Sequence, residues 1–314
     1  TSRGAVHTTG YFDPLIGSTG EYSTKTDAFA VGISLLVCLT NRSAEGILDA
    51  IARPAEKTKP WYEYRKIFLT ERRIREGAAF WDANASVLET VAERSGVPAE
   101  IIVAIIGVET YYGRISGSYR VIDALATLAF DYPRRAAFFT RELEQFLVLA
   151  WESNKDPLAM KGSYAGAMGY GQFMPSSYRA YAASFEGGSA PDIWDDVADA
   201  ISSVGNYLKA HGWRTGDGVV VDAIVDDSEL AIFDAGLKPS LSIAELVIAG
   251  VRPVETLMPS MVVTPLRLEE QKGPRHWLGL QNFYVITRYN HSAMYAMAIW
   301  ELSQALVTER LDEY

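Results

Sequence analysis

Ile101-Ile-Val-Ala-Ile-Ile-Gly-Val108 is among the most apolar stretches of this 314-residue chain, and it runs straight into Glu109-Thr-Tyr-Tyr-Gly-Arg114. Pro98 suits the first turn of a helix, where its missing N–H is no loss, so the stretch reads as an apolar helix opened by Pro98 and closed by Glu109. An acid held where little water reaches favours its neutral form, which makes it a general acid near neutral pH. A Glu in that place is as commonly the first exposed residue of the next turn. The neighbourhood weighs for chemistry. Thr110, Tyr111, Tyr112, Gly113 and Arg114 supply hydroxyls, aromatic faces and a cation, the mixture with which clefts hold sugars.

Outward from this stretch, helical periodicity dominates. Glu45–Ala52 predicts a short amphipathic helix ended by Arg53-Pro54, and Ala78–Arg94 a longer one stopped by Ser95-Gly96-Val97-Pro98. Arg134–Trp151 carries Phe138, Leu143, Phe146 and Leu147 on or near one face. Ser163–Met174, with Gly166, Gly169 and Gly171, is too glycine-rich for a helix and predicts a tight loop; its spacing matches no phosphate loop, and nucleotide binding is not expected. Pro175-Ser176-Ser177 suits the cap of a following helix, and Val197–His211 is another. From Gly216 to Gly279 the texture changes to Val219–Val221, Ala231–Phe233 and Leu266–Leu268, short β-type segments punctuated by Gly and Pro. Helix returns from about Ser292, after Phe283–His291. The expected fold is mainly α, of the α+β kind, with a small β-containing insertion.

Hydrophobic residues make up 48% and charged residues 22%, as in a folded globular protein. The net charge of -10 argues against a nucleic-acid binder, which usually presents a basic face. Cys38 is the only cysteine, so no internal disulfide forms, and His7, His211, His276 and His291 lack zinc-site spacing; no metal is implied. The apolar run Ala28–Leu39 is too short to span a bilayer. Leu35-Leu-Val-Cys38 has the outline of a lipidation box, but Val37 is too large and the segment lies far from the chain start. The chain opens on Thr1, as a processed or truncated product would; membrane contact is expected only through an anchor lost with such a leader.

The sequence resembles the bacterial lytic murein transglycosylase B family from about Ala44 nearly to the C-terminus. The resemblance rests on GVETYYGR around Glu109, Ala129-Phe-Asp-Tyr-Pro-Arg-Arg135, Lys161-Gly-Ser-Tyr-Ala-Gly-Ala-Met-Gly-Tyr-Gly-Gln-Phe-Met-Pro-Ser-Ser177, and Phe283–Tyr295. It implies a lysozyme-like helical core, about 78–215, with surrounding helices, a small α/β insertion, about 216–280, and a helical return over 281–314. It further implies a deep groove for peptidoglycan glycan strands, a periplasmic or cell-envelope setting and a monomer. Glu109 is then the sole catalytic acid and base. Ser163, Gln172, Tyr207 and Asn290 match positions lining the groove beside it, and Tyr64, Arg134, Phe173, Met174, Tyr289 and Tyr295 match positions that hold or orient sugars. Taken without the family, Phe173 and Met174 read as core, Arg134 as an exposed cation and Tyr207 as helix packing.

Hydrolytic glycosidases generally use two carboxylates, and only Glu109 sits in a plausible cleft motif. The family's chemistry has the substrate supply the rest: the muramoyl sugar's own C6 hydroxyl attacks, closing a 1,6-anhydro ring. A hydrolytic muramidase and a non-enzymatic glycan-binding module are the competing readings. Family members often carry an EF-hand-like calcium loop, but Ser184–Asp196 lacks the acidic spacing that calcium needs, so no cofactor is expected. Residues 1–43 differ from the rest: Thr8–Pro14 and Tyr22–Leu36 resemble the end of a protein-kinase activation segment and the helix after it. No phosphate loop, catalytic-loop Asp and Asn, or Asp-Phe-Gly accompanies them, which excludes kinase activity. The segment reads as a fused or misassembled remnant, or as an extra helix over Thr26–Leu39 packed on the enzyme.

Overall fold

The computed structural model describes residues 44–52, 59–188, 190–226 and 231–312; the kinase-like segment lies outside the described residues. The described chain divides into two compact units, a smaller one of residues 44–52, 117–167 and 174–176, and a larger one made of the remainder.

In the smaller unit, helix α1 (Ala44–Ile51) and helix α7 (Ala136–Glu152) both pack on helix α6 (Val121–Asp131). Helix α6 is buried almost throughout, as its Val, Ile, Ala and Leu residues require, with buried Asp123 paired to Arg120. Helix α7 buries Phe139, Leu143, Phe146 and Leu149, with Phe138 and Leu147 half-buried at its margins, so the core face is rotated by about one residue from the sequence expectation. A short antiparallel pair, β1 (Tyr119–Arg120) and β2 (Lys161–Gly162), brings the glycine loop back beside the start of α6. Gly166 sits at φ +81° against the Leu125 side chain, where neither an L side chain's backbone preference nor a Cβ would fit. Buried Glu142 accepts from Ser176 N (2.9 Å) and Ser176 Oγ (2.6 Å). Thus the start of helix α8 (Pro175–Tyr181) is capped by a carboxylate from α7, and Ser176, expected to cap it, is itself held.

The larger unit is organised around helix α5 (Ala99–Thr110), whose residues Ile101 to Ile106 are at most 1% exposed. Helices α3 (Glu71–Ala83), α4 (Ala85–Ser95), α9 (Val197–Ala210) and α12 (Ala293–Asp312) pack against it. Four neighbours cover all sides of α5, which is why its sequence is apolar all round and shows no stripe. Truncating Ile105 to Ala would cost about 2–5 kcal/mol. The expected single helix over Ala78–Arg94 is two, because the Asn84 side chain donates to Phe80 O (2.8 Å) and draws the backbone out of the α conformation. Helix α2 (Trp61–Phe68) rests on α12, and helix α11 (Gln281–Thr287) covers most of the segment expected to precede the helical return.

The insertion is a five-stranded antiparallel sheet in the order β4 (Leu241–Ser242), β6 (Val262–Glu270), β7 (Gly273–Gly279), β3 (Val220–Val225), β5 (Val251–Pro253). Val221, Val263 and Leu278 from the sheet and Ile243 and Leu246 from helix α10 (Ile243–Ile248) build its own small core. Ala231–Phe233, expected as a strand, is a 3-10 turn running to Asp234; Phe233 packs on His276 there, with no ladder partner.

Candidate active site

Glu109 occupies the last turn of α5, half-buried, behind the apolar face of the helix. The backbone just beyond it is unusual. Tyr111 (φ 53°), Tyr112 (φ 60°) and Gly113 (φ 84°) are consecutive left-handed residues, and Gln172 (φ 49°) is another. A non-glycine residue in that region costs on the order of 1–3 kcal/mol, so the surroundings must hold it there. They do. The Tyr112 hydroxyl donates to Arg73 O (3.0 Å), and its ring stacks on Phe80 at 5.5 Å. That ring fills the space above Gly107, where a Cβ would come within 2.7 Å of it. Thr110 Oγ1 accepts from Gly113 N (3.0 Å) and donates to Tyr170 O (2.8 Å), tying the helix end to the loop over residues 168–173.

The Tyr295 hydroxyl, reached from α12, donates to Glu109 Oε1 at 2.5 Å. Burial, and then the nearby Glu109 charge, push the Tyr295 pKa well above that of a free phenol, so it holds its proton and acts as a fixed donor. Tyr64, buried in α2 with its ring 5.3 Å from Phe68, is close enough to Tyr295 to raise it further. Tyr289 is raised in the same way by burial and Glu109, and its hydroxyl donates to Gly171 O (2.7 Å). Gly171 must be glycine, since a Cβ would fall 2.8 Å from the Tyr289 hydroxyl oxygen.

From Tyr289 an aromatic cluster extends away from the acid. Its ring lies 4.7 Å from Tyr207 and 5.8 Å from Phe173, and Tyr207 stacks on His211 at 4.1 Å with Tyr181 closing the edge at 5.1 Å. Tyr207 donates to Arg288 O (2.6 Å), and burial pushes its pKa up to about 12. Gln172 spends its amide on Ser116 O (3.1 Å) and Gly169 O (2.9 Å), leaving its carbonyl oxygen as an acceptor.

In the larger unit the structure thus gathers Glu109 with Tyr295, Tyr289 and Tyr64, and joins Tyr207, Phe173 and Gln172 to them through Tyr289 and Gly171. Asn290 lies at the junction of α11 and α12, between Tyr289 and Tyr295 in sequence. Ser163, Arg134 and Met174 belong to the smaller unit. Ser163 Oγ there accepts from Ala165 N (3.3 Å) and Ala167 N (3.1 Å), while Arg134 is exposed. Tyr181 and His211 join the cluster although no sequence motif marks them; the i, i+4 spacing of Tyr207 and His211 on one helix face is the available signal.

Several carboxylates in and beside the loop over Ser184–Asp196 accept backbone N–H groups. Asp199, just beyond it, takes Phe185 N (2.7 Å) and Asp192 N (2.8 Å), one on each oxygen. Asp192 Oδ1 takes Trp194 N and Asp195 N, and Asp196 caps α9 by accepting from Ala198 N (2.8 Å). No group of three Asp, Glu, His or Cys side chains that could hold a metal is found among the described residues.

At the end of a mostly buried helix an acid is thus braced by a phenol and flanked by an aromatic cluster, a mixture of groups suited to holding a carbohydrate. The chain matches the transglycosylase SLT domain over residues 33–304. It is 48% identical over 262 residues to the membrane-bound lytic murein transglycosylase B of Escherichia coli K12, covering 83% of this chain and 72% of that one. It is 47% identical to the soluble lytic transglycosylase SltB1 of Pseudomonas aeruginosa, whose crystal structure superposes with a TM-score of 0.81 over 94% of this chain and 96% of that one. SltB3 of the same organism, solved with NAG-anhNAM-pentapeptide, is 31% identical with a TM-score of 0.76 over 90% of this chain and 77% of that one. The chain belongs to the transglycosylase SLT family, with its lysozyme-like fold, and is a lytic murein transglycosylase.

Proposed function

We propose that Glu109 alone carries the proton transfers, on glycan strands of peptidoglycan. Neutral Glu109 gives its proton to the oxygen linking N-acetylmuramic acid to N-acetylglucosamine, and the C1–O bond breaks. The muramoyl N-acetyl carbonyl supports the electron-poor C1. Glu109, now a carboxylate, takes the proton of the same sugar's C6 hydroxyl as O6 bonds to C1, which closes the 1,6-anhydro ring and restores the neutral acid. No water is consumed. The Tyr295 hydroxyl, as a donor, favours the carboxylate that appears midway.

The observation that carries this reading is the bond of 2.5 Å from the buried Tyr295 hydroxyl to Glu109 Oε1 at the end of α5, a donor placed for the carboxylate that the cycle forms and then uses as base. The anhydro-sugar held by SltB3 supports the same product here. Tyr289, Tyr207, Gln172, Phe173 and Asn290, and in the smaller unit Ser163, Arg134 and Met174, are proposed to hold the strand. No metal takes part, the enzyme acts as a monomer, and its place is the periplasm or cell envelope. No helix among the described residues is long and apolar enough to cross a membrane.

The test is Glu109→Gln with product masses. The amide keeps the shape but has no proton to give, so turnover should fall by about two orders of magnitude or more with the melting temperature retained. Wild-type products should carry an anhydro end, one water lighter than a hydrolysed end. Activity above a tenth of wild type in the variant, or hydrolysed ends in the wild type, would overturn the reading.

A further inference from the structure

One cation of the larger unit has no evident structural reason to be where it is. The Arg73 guanidinium, on α3, lies 4.7 Å from the centre of the Tyr111 ring and 5.2 Å from that of Phe68. Its Nε and Nη1 are shut off from water and have no acceptor among the described residues. Burial accordingly pulls its pKa below the usual guanidinium value. A buried cation with unspent donors is a liability for folding, and an apolar side chain of similar length would serve stability as well or better.

Beside it, Glu76 works on the same tyrosine. Glu76 binds Arg72 Nε (2.9 Å) and Arg114 Nη1 (2.9 Å), and the bond to Arg72 holds its carboxyl below the usual range, with the Tyr111 hydroxyl adding to the effect. Arg114 in turn lies 5.8 Å from the Tyr111 ring. One turn of α3 therefore reaches the Tyr111 ring directly through Arg73 and, by way of the Arg114 that Glu76 pairs, a second time, and it holds Tyr112 through Arg73 O. These are the two non-glycine residues in left-handed backbone just beyond Glu109 and Thr110. Their geometry fixes how α5 ends, and the direction of its last turn fixes where the Glu109 carboxyl stands.

We propose that Arg73 and Glu76 are positioning residues for Glu109, acting through Tyr111: one cation on the ring and a second, Arg114, held beside it by the Glu76 carboxylate, keep the left-handed turn that aims the acid. The inference rests on the reading of Glu109 as the acid. It explains a half-buried arginine with two unspent donors as a cost to stability retained for the placement of that acid.

The experiment compares Arg73→Met, Arg73→Lys, Glu76→Gln and the milder Tyr111→Phe with wild type. It measures melting temperature, and kcat and KM separately on a soluble glycan fragment. Arg73→Met should melt at or above the wild-type temperature while kcat falls about tenfold or more with KM nearly unchanged, since small misplacements of a catalytic group cost rate and not binding. Arg73→Lys, which keeps a cation over the ring, should recover part of the loss. Glu76→Gln, which frees Arg114, should lower kcat in the same sense, and Tyr111→Phe, which keeps the ring that both cations face, should retain most of it. A lowered melting temperature with kcat intact would make the cluster merely structural, and a raised KM with kcat intact would make it a substrate contact; either overturns the proposal. Glu109→Gln run alongside separates the two readings: if it is inactive while Arg73→Met is fully active, only the positioning inference falls.

Discussion

Tyr295→Phe isolates one bond in the proposed cycle. The substitution keeps the buried ring in α12 and deletes only the hydroxyl that donates to Glu109 Oε1 at 2.5 Å. A hydrogen bond to a charged group is worth about 1.5–3 kcal/mol against about 1 kcal/mol for one to a neutral acceptor, so its strengthening as Glu109 becomes a carboxylate, roughly 1–2 kcal/mol, should be worth about 5–30-fold in rate. The sign of the pH effect comes from the same bond. The donor favours the carboxylate; without it Glu109 holds its proton more tightly, so the fall in kcat/KM as pH rises should move to higher pH. The acid is then also a weaker proton donor, so the low-pH plateau should drop. Loss should therefore be largest on the plateau and smaller on the alkaline side, where the variant retains more of the neutral acid. The assay is kcat/KM on a soluble glycan fragment between about pH 4 and 9, a range spanning the ordinary carboxylate and histidine values. A plateau within twofold of wild type with the alkaline limb unmoved would show that the phenol plays no part in the proton transfers.

Three further outcomes are expected. Millimolar calcium or a chelator should leave the melting temperature in place, whereas Asp199→Ala, which strands Phe185 N and Asp192 N, should cost about 2–4 kcal/mol; a calcium-dependent rise of several degrees would reverse the reading of that loop. Burial pulls the His211 pKa below its ordinary 6.5, so the folded state resists protonating it: its contribution is present above about pH 6.5 and is lost as pH falls towards the depressed value. His211→Phe keeps the stack on Tyr207 and should flatten the melting-temperature curve below pH 6.5, and an unchanged acid slope would place the lability elsewhere. The family match opens at residue 33, so a chain beginning there should keep murein-clearing activity and melting temperature if residues 1–32 are foreign. A second chain beginning at Ala44 then reports what residues 33–43 add, and loss of activity already in the first would end the remnant reading.

The parts of the fold legible in the sequence are those in which one local rule decides the outcome. The apolar run 101–108 could only be a buried segment, and Pro98 and the Tyr111 turn set its ends. The glycine loop and the helix over Val197–His211 are legible for similar reasons. Where two rules compete, the local pattern misleads. Asn84 lies within a periodic stretch, and only its side-chain bond to Phe80 O shows that the helix breaks there. Ala231–Phe233 has strand composition, yet strand identity depends on a partner, and the segment takes none in the sheet.

The same division runs through the site. Glu109 is legible because its environment is made by its own helix. Its control is not local: the hydroxyl that braces it comes from Tyr295, 186 positions later, and the grip on the turn beyond it comes from α3, where Arg73 and Glu76 have the look of ordinary surface charges of an amphipathic helix. Charge pattern alone favours that reading, because an Arg and a Glu three residues apart on a helix usually face water. The difference from a solvated pair lies in the left-handed backbone at Tyr111 and Tyr112, a conformation that no side chain chooses for itself. An energetic cost at that point requires compensation nearby, and compensation is a matter of contact in three dimensions. The proposed acid can thus be picked out from a local pattern, while the residues proposed to aim it become visible only once the strain they offset has been located.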